Sequence, residues 1–389
     1  MHLFRSALTS ILAFLVLCPL RAQEQQEQKG LFGRALDKIV APSRELDPNA
    51  VYQPKPRWTF AVTGDLRQAG VSQKQEFTLP SAKLGPSGEM IIILNPVYLS
   101  SNLQGKVGKG LGFQAGYGNL SVAMSKSFRS EGTDSVFSLD YLSAGYALQV
   151  QYILLTNPVH YHMIIGEEGE RGYLERDEMT DSPGQMRSFI VDAFYAFNRR
   201  SFAYSAAYKG NMFQRRSAGS WMFGSKLILG EFSIDPAEVI VNLAADQAKQ
   251  TSSQLSFGGG YSYNLVPFHR QPYAKRDKGL RNLTLNATLL PMVTIFNQFA
   301  ATSYDRDEDG NYKELFKNVM NGRLLVNYVA RVGIGYTHDL FSVNLSASHD
   351  NFSYKGVSAI NYQGYLNEEV STSGNFFRWM VALRLGVRF

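Results

Sequence analysis

The sequence predicts an all-β fold, an antiparallel transmembrane β-barrel, and three observations lead to that prediction. Apolar and polar residues alternate with a period of two in segments of about ten residues. A secretory signal precedes these segments. After residue 22 there is no apolar run of about eighteen residues or more, although hydrophobic residues make up 44% of the chain. The apolar residues are therefore distributed over strands rather than concentrated in membrane helices.

Residues 1–22 have the features of a secretory signal peptide. Arg5 supplies the positive charge, Ala7–Leu17 is apolar but too short to span a bilayer, and Ala22 offers a small residue for cleavage. Cleavage there removes the single cysteine, Cys18, so we expect no disulfide and no thiolate-bound metal in the mature chain. Lipidation of Cys18 is the disfavoured alternative, because acylated cysteines normally follow a small residue.

Residues 23–56 are predicted to form a periplasmic segment ahead of the barrel. Between Leu31 and Val40 apolar residues recur at helical spacing, which predicts a short amphipathic helix. That helix would lie on the inner leaflet, plug the barrel mouth or serve only as a surface-packed spacer. Four prolines between positions 42 and 56 make the rest of the segment semi-rigid.

Residues 57–389 are predicted to form the barrel. Strand patterns with one apolar face occupy residues 120–125, 137–141, 146–154, 189–197, 202–208, 221–230, 254–263, 326–336 and 341–348, with the last at 377–389. Short turns near Gly118, Gly145 and Asn198 are expected in the periplasm, with 157–185 and 351–374 as long extracellular loops. A bacterial barrel needs an even number of strands, yet counts from the two ends of the chain disagree between 209 and 252. One apparent strand there is expected to be a bulge, a kinked continuation or an inward segment, which favours twelve strands over fourteen.

The final strand predicts which faces meet lipid and lumen. Every odd position from 377 to 389 is apolar, whereas Arg378, Arg384 and Arg388 share the opposite face. This pattern predicts lipid outside and a wet, basic lumen inside, and it disfavours a strand of a soluble sheet. Further lumen-facing cations are predicted at Arg323, Arg331 and Lys226. The terminal Phe389 resembles the signal that is recognised by the bacterial outer-membrane assembly machinery, which is therefore an expected partner.

Several segments resemble a known but uncharacterised family. Residues 202–207 and 214–220 are similar to a stretch shared by outer-membrane proteins of Bacteroides-like bacteria, and residues 111–117 and 258–264 fit the same pattern. The family is known only as a domain of unknown function. The resemblance implies a barrel over about residues 57–389 and a location in the Gram-negative outer membrane, in contact with its lipid and lipopolysaccharide. It implies no activity, ligand or catalytic residues.

Two acidic loops are candidates for cation binding. Asp305, Asp307 and Asp309 repeat the ligand spacing at the start of a calcium loop. Phe316 stands where such a loop places a bidentate Glu, so the sequence predicts weakly bound Ca²⁺ at most and favours a solvated loop. The second acidic loop, 167–181, would meet cations that bridge lipopolysaccharide or would simply be solvated. No other cofactor is expected.

The charge of the chain argues against a nucleic-acid partner. The formal net charge is +6, and loss of Arg5 and Arg21 with the signal peptide lowers it to +4. This excess includes no Lys/Arg-rich run.

An enzyme is disfavoured by the serines and histidines. A lipid hydrolase or acyltransferase of the outer membrane would need a Ser–His pair. Ser217 and Ser220 do not stand in a Gly-x-Ser-x-Gly elbow, and local spacing provides no acidic partner for His160 or His162.

Two functions from different classes remain open on the sequence. The first is a porin-like channel for small polar or anionic solutes, because the predicted lumen face is basic. The second is a closed structural or assembly barrel whose arginines pair internally with Asp140 and Asp192. The sequence predicts neither the solute nor the oligomeric state.

Overall fold

The structure is a computed structural model, and part of the chain is described. The described residues are 46–54, 58–84, 87, 90–104, 107–128, 132–166, 173–238, 248–267, 281–306, 311–322, 325–338, 340–362 and 366–389. The predicted signal peptide and amphipathic helix lie outside the described residues.

Strands make up nearly all of the regular structure in these ranges. In chain order the strands are β1 (Val51–Tyr52), β2 (Trp58–Leu84), β3 (Met90–Gln104), β4 (Gly108–Tyr117), β5 (Leu120–Phe128), β6 (Thr133–Leu142), β7 (Tyr146–Asn157), β8 (His160–Ile165), β9 (Leu174–Met179), β10 (Gly184–Ala196), β11 (Phe213–Gln214), β12 (Ala218–Ser233), β13 (Lys249–Leu265), β14 (Arg281–Arg306), β15 (Tyr312–Asn321), β16 (Leu325–His338), β17 (Phe341–Tyr362) and β18 (Leu366–Arg388). One 3₁₀ turn, η1 (Tyr204–Ala206), lies between β10 and β11. In these ranges we find no helix with the length and apolar character that crossing a membrane requires.

Twelve of these strands close into a ring. Their order is β2, β4, β5, β6, β7, β10, β12, β13, β14, β16, β17 and β18, and β18 pairs antiparallel with β2 to complete the circle. The ring confirms the prediction of a twelve-stranded antiparallel barrel. Both ends of the ring sequence meet at one end of the barrel, where the Phe389 amide donates to the Trp58 carbonyl at 3.0 Å. We call this the near end and the opposite one the far end.

The ring strands present alternate residues to the inside and the outside. In β18 the outward Leu383 and Leu385 are 44% and 53% exposed, whereas Arg384 between them is buried inside the ring. A belt of exposed aromatic side chains surrounds the near end. It contains Trp58, Phe60, Tyr146, Phe197, Trp221, Tyr261, Tyr263, Phe341 and Phe389. An apolar outer surface that ends in an aromatic belt is the surface that a bilayer requires.

Extra strands extend the sheet at the far end. β3 pairs with β2, β8 with β3, and β9 with β8, while β15 pairs with β14. The segment 157–185, predicted to be a long loop, does connect two ring strands, β7 and β10, at the far end, but it contains the strands β8 and β9. The predicted loop at 351–374 is largely the continuation of the β17–β18 hairpin. Contacts with the ring stabilise β3 and β8, because one face of each strand is buried over the far end of the ring.

The predicted strand at 202–208 is also wrong. Phe202, Tyr204, Ala206 and Tyr208 do alternate, but the residues between them are as buried, with Ala203 and Ser205 each 0% exposed. A strand in the wall would expose alternate residues, so this segment lies inside the barrel instead. It is the inward segment that the strand counts required, although it starts a few residues before the predicted interval.

Candidate functional site: the filled lumen

A segment between β10 and β12 fills the near end of the lumen. We call residues 202–216 the plug. The fully buried Gln214 organises it: its amide nitrogen donates to the carbonyls of Ser201 at 2.7 Å and Arg216 at 2.8 Å, and its amide oxygen accepts from the Ala203 amide at 2.8 Å. β1 adds a strand to this element, with Val51 opposite Gln214. Residues just ahead of the ring are therefore bound to the plug.

Two of the arginines predicted to face the lumen hold the plug backbone. Arg384 donates to the Lys209 carbonyl at 2.9 Å and Arg388 to the Gly210 carbonyl at 2.7 Å. Gly210 has φ = +64°, a conformation that suits glycine. Both side chains lie inside the barrel, where they contact protein rather than an open passage. Their positive charge suits carbonyl oxygens, which carry partial negative charge.

Two glycines of β16 face the plug where it comes closest to the wall. A Cβ atom at Gly333 would lie 2.8 Å from the Tyr208 ring, and one at Gly335 would lie 2.9 Å from the Ala207 Cα. The Tyr208 hydroxyl donates to the Asn286 side-chain oxygen at 2.5 Å. The glycines allow van der Waals contact between plug and wall, so little space is left between them.

A buried charge network lies at the inner end of the plug. Lys226 Nζ lies 3.0 Å from Asp350 Oδ1 and 3.3 Å from Asp192 Oδ1. Arg378 contacts the other oxygen of Asp350 at 2.7 Å, and Arg331 contacts the other oxygen of Asp192 at 3.0 Å. All five side chains are less than 10% exposed. The network therefore holds three cations and two carboxylates in a nearly dry place, where unpaired charge is costly.

The plug takes part in this electrostatic arrangement. The Tyr204 hydroxyl accepts from Arg331 at 3.1 Å. Lys209 Nζ lies 3.1 Å from Asp140. The sequence hypothesis of a closed barrel paired arginines with Asp140 and Asp192; Arg331 does pair with Asp192, but the cation at Asp140 is a lysine of the plug. Lys209 was not among the predicted luminal cations, because the residues before it had the pattern of a wall strand.

A second buried group of charges was also missed. Arg67 Nε lies 2.7 Å from Asp134 and 3.3 Å from Asp65, and an Arg67 Nη atom donates to Ser125 at 2.7 Å. Asp65 and Arg67 alternate with the outward Leu66 along β2. The same period of two that identified the other luminal cations applies to them, so this signal was available in the sequence.

The far half of the lumen contains an apolar core. Leu103 of β3 and Met163 of β8 are at most 1% exposed and belong to one cluster with Leu155 and Met186 of the ring. At Gly184 a Cβ atom would lie 2.5 Å from Val159, so the residue just before β8 is in close contact with the ring there. A nearby cavity of about 40 Å³, lined by residues that include Met186, has room for a few water molecules.

The remaining predicted site residues lie elsewhere. Arg323, Asp307 and Asp309 are outside the described residues, and Asp305 lies opposite Lys313 in the β14–β15 hairpin. Phe389 is 71% exposed on the aromatic belt, with its ring 6.1 Å from that of Phe60. Over the described ranges, no three His, Cys, Asp or Glu side chains are arranged to hold a metal ion.

The far-end hairpin β8–β9 provides the histidines with carboxylates. His160 Nε2 lies 2.7 Å from Asp177, and His162 Nε2 lies 3.6 Å from Glu175. Local spacing in the sequence did not predict these acidic partners, because the pairs form across two strands. Between the histidines, Tyr161 points to the other face, where burial and a hydrogen bond to the Glu178 carboxylate raise the pKa of its hydroxyl to about 12.

Known structures resemble this fold at low sequence identity. The outer membrane protease OmpT from Escherichia coli has 7% identity and a TM-score of 0.38, over 85% of this chain and 97% of that one. The β domain of the Bordetella autotransporter BrkA has 10% identity and a TM-score of 0.28, over 82% and 100%. The P. putida toluene transporter TodX has 7% identity and a TM-score of 0.26, over 86% and 90%. Similarity at this level carries no argument about function.

Sequence comparison identifies the family. No curated protein matches the chain. The model of the family described as "Domain of unknown function (DUF4421)" matches residues 73–369. This match confirms the resemblance to an uncharacterised domain family, whereas the Bacteroides-like origin remains a prediction. The chain belongs to the DUF4421 family.

Proposed function

We propose that this protein is an integral outer-membrane β-barrel with a closed lumen, and that it acts as a structural barrel rather than an open channel. The observation that carries the proposal is the filling of the lumen along its length. The plug occupies the near end, the charge network lies at its inner end, and the apolar core lies in the far half among other buried side chains. A conducting pore instead needs a continuous polar path.

The orientation in the membrane follows from the lengths of the connections. Outer-membrane barrels have short periplasmic turns and longer extracellular loops. β4 and β5 are joined at the near end by a two-residue turn, whereas the far end carries β3, β8, β9 and β15. The near end thus faces the periplasm and the far-end strands face outward. We infer that the assembly machinery binds the C-terminal end of β18, which lies at the near end and is followed by Phe389.

The contacts of the luminal cations favour the closed barrel over an anion channel. Arg331 and Arg378 contact buried carboxylates, and Arg384 and Arg388 contact plug carbonyls. An anionic solute would have to displace these partners. The charge that suggested a channel in the sequence therefore stabilises the closed state.

Engaged serine hydroxyls support a role without catalysis. Ser217 Oγ accepts from the Val266 amide at 2.9 Å, and Ser220 Oγ accepts from the Asn198 amide at 2.9 Å. A lipid-modifying enzyme would instead need a serine beside a histidine. His338 and His349 stack on Phe341 and Tyr328.

Conductance and thiol labelling test the closed lumen. Refolded protein in planar bilayers should show no stable current steps above the leak. A chain beginning at Gln23 lacks Cys18, so single cysteines can be introduced. Ser205→Cys, at a residue that is 0% exposed, should resist a membrane-impermeant maleimide until the barrel is unfolded, whereas Thr133→Cys on the exposed far end should react at once. Stable current steps, or rapid labelling at position 205, would disprove the proposal.

A further inference from the structure

Two lysines stand on the outer surface of adjacent ring strands. Lys109 of β4 and Lys126 of β5 are both exposed. Lys109 lies opposite Leu66 of β2, and Lys126 lies opposite Leu111 of β4. In the described part of the chain neither lysine makes an ion pair with a carboxylate. Within those residues, two positive charges therefore lack a protein counter-charge on a largely apolar surface.

The lengths of β4 and β5 place these lysines at a membrane interface. The strands contain 10 and 9 residues, and a tilted strand needs about 9–11 residues to cross the hydrocarbon core. Both lysines lie close to the far ends of their strands. Their ammonium groups would then reach the head groups of the outer leaflet while their alkyl chains cover apolar surface.

Other outward cations at the far end of the ring form ion pairs with a carboxylate. Arg187 of β10 lies 3.6 Å from Glu231 of β12, and Lys249 of β13 lies 3.5 Å from the same carboxylate. A cation with a protein partner has less to gain from a lipid anion. Among these described cations at the far end, Lys109 and Lys126 are therefore the ones available to a lipid anion.

A shallow slot lies beside the lysines on the apolar surface. Gly64 of β2 is exposed, and a Cβ atom at this position would meet no atom within 4 Å. Leu111 and Leu383 lie on either side of it in the same row of the sheet, and Leu66 lies two residues toward the far end. An acyl chain could lie in this slot against three leucines.

We propose that this surface binds a phosphorylated glycolipid of the outer leaflet, with a phosphate at Lys109 and Lys126 and an acyl chain over Gly64. The inference rests on the proposed location of the barrel in the outer membrane. The phosphate supplies the counter-charge for the two lysines. It lies at the membrane interface, where β4 and β5 end. The slot provides apolar contact just below it.

Binding of diphosphoryl lipid A to the refolded protein in a neutral detergent tests the proposal, with native mass spectrometry as the readout. Lys109→Gln with Lys126→Gln should weaken binding roughly thirtyfold, since each lysine near an anionic surface contributes a factor of about five. The matched control is Lys74→Gln with Lys355→Gln, two exposed lysines in one row across Ser373 beyond the apolar band. The control should bind as the unchanged protein does.

A second variant separates the acyl slot from the charge. Gly64→Leu fills open space, so it should fold normally and still weaken lipid A binding severalfold. Inorganic phosphate, added instead of lipid A, should bind weakly and should be insensitive to Gly64→Leu. Equal lipid binding by the unchanged protein and the Lys109/Lys126 variant would overturn the proposal, as would an equal loss in the Lys74/Lys355 control. Either result with normal insertion and no conductance would leave the closed barrel standing.

Discussion

Replacing Asp350 by Asn tests whether the interior of the barrel is dry. The Asp350 side chain is 1% exposed and contacts two cations, Lys226 at 3.0 Å and Arg378 at 2.7 Å. Without its charge, one carboxylate, Asp192, would face three cations. Breaking a buried ion pair typically costs about 3–5 kcal/mol. We therefore expect Asp350→Asn to lower the free energy of unfolding by about 3–5 kcal/mol.

Lys226→Met should cost less, for a reason that is specific to this network. Loss of this cation leaves two balanced pairs, Arg331 with Asp192 and Arg378 with Asp350. The main remaining cost is the loss of the hydrogen bond from Lys226 to Asp350 Oδ1, about 1–3 kcal/mol. The double variant should cost less than the sum of the two single changes, because Lys226 no longer repels the other cations.

Urea unfolding of the protein in lipid vesicles, followed by tryptophan fluorescence, measures these differences. Trp58 and Trp221 lie exposed on the aromatic belt, so their emission reports insertion. In a water-filled channel the same substitutions would cost less than about 1 kcal/mol, as at exposed ion pairs. Small and equal costs for Asp350→Asn and Lys226→Met would therefore refute the dry, closed lumen.

Three further predictions concern the surface and the loops. Leu383→Arg, at an outward position within the apolar band, should cost about 2–4 kcal/mol, whereas Asn375→Arg beyond the band should cost about 0–1 kcal/mol; equal costs would contradict the assignment of the faces. Phe389→Asp, or deletion of this residue, should reduce the heat-modifiable fraction in the outer membrane, and normal insertion of both variants would exclude a targeting role. Proteolysis of the loop at Asp307 and Asp309 should be the same in calcium and in chelator, because the bidentate ligand of a calcium loop is missing; calcium-dependent protection that is lost on Asp→Asn change at both positions would reveal a site.

The sequence alone determined the class of fold and the direction of most side chains in the wall. The odd positions from 377 to 389 are outward and the arginines between them are inward, as the period of two required. This inference works because a strand between lipid and an enclosed interior obeys a local rule. The rule fails at Phe202–Tyr208, where an alternating pattern is buried on both sides. A pattern cannot distinguish a half-buried strand from a segment that is wholly enclosed.

Only the tertiary structure decided what fills the barrel. Lys226 and Asp350 are 124 residues apart, and Arg384 meets the Lys209 carbonyl across 175 residues. The facing of each side chain follows from its own strand, whereas its partner depends on the closure of twelve strands and on the inward path of the plug. For this reason the sequence suggested a basic channel first and left a closed barrel as the alternative. The contacts between distant residues, which no local pattern encodes, support the closed barrel that we propose.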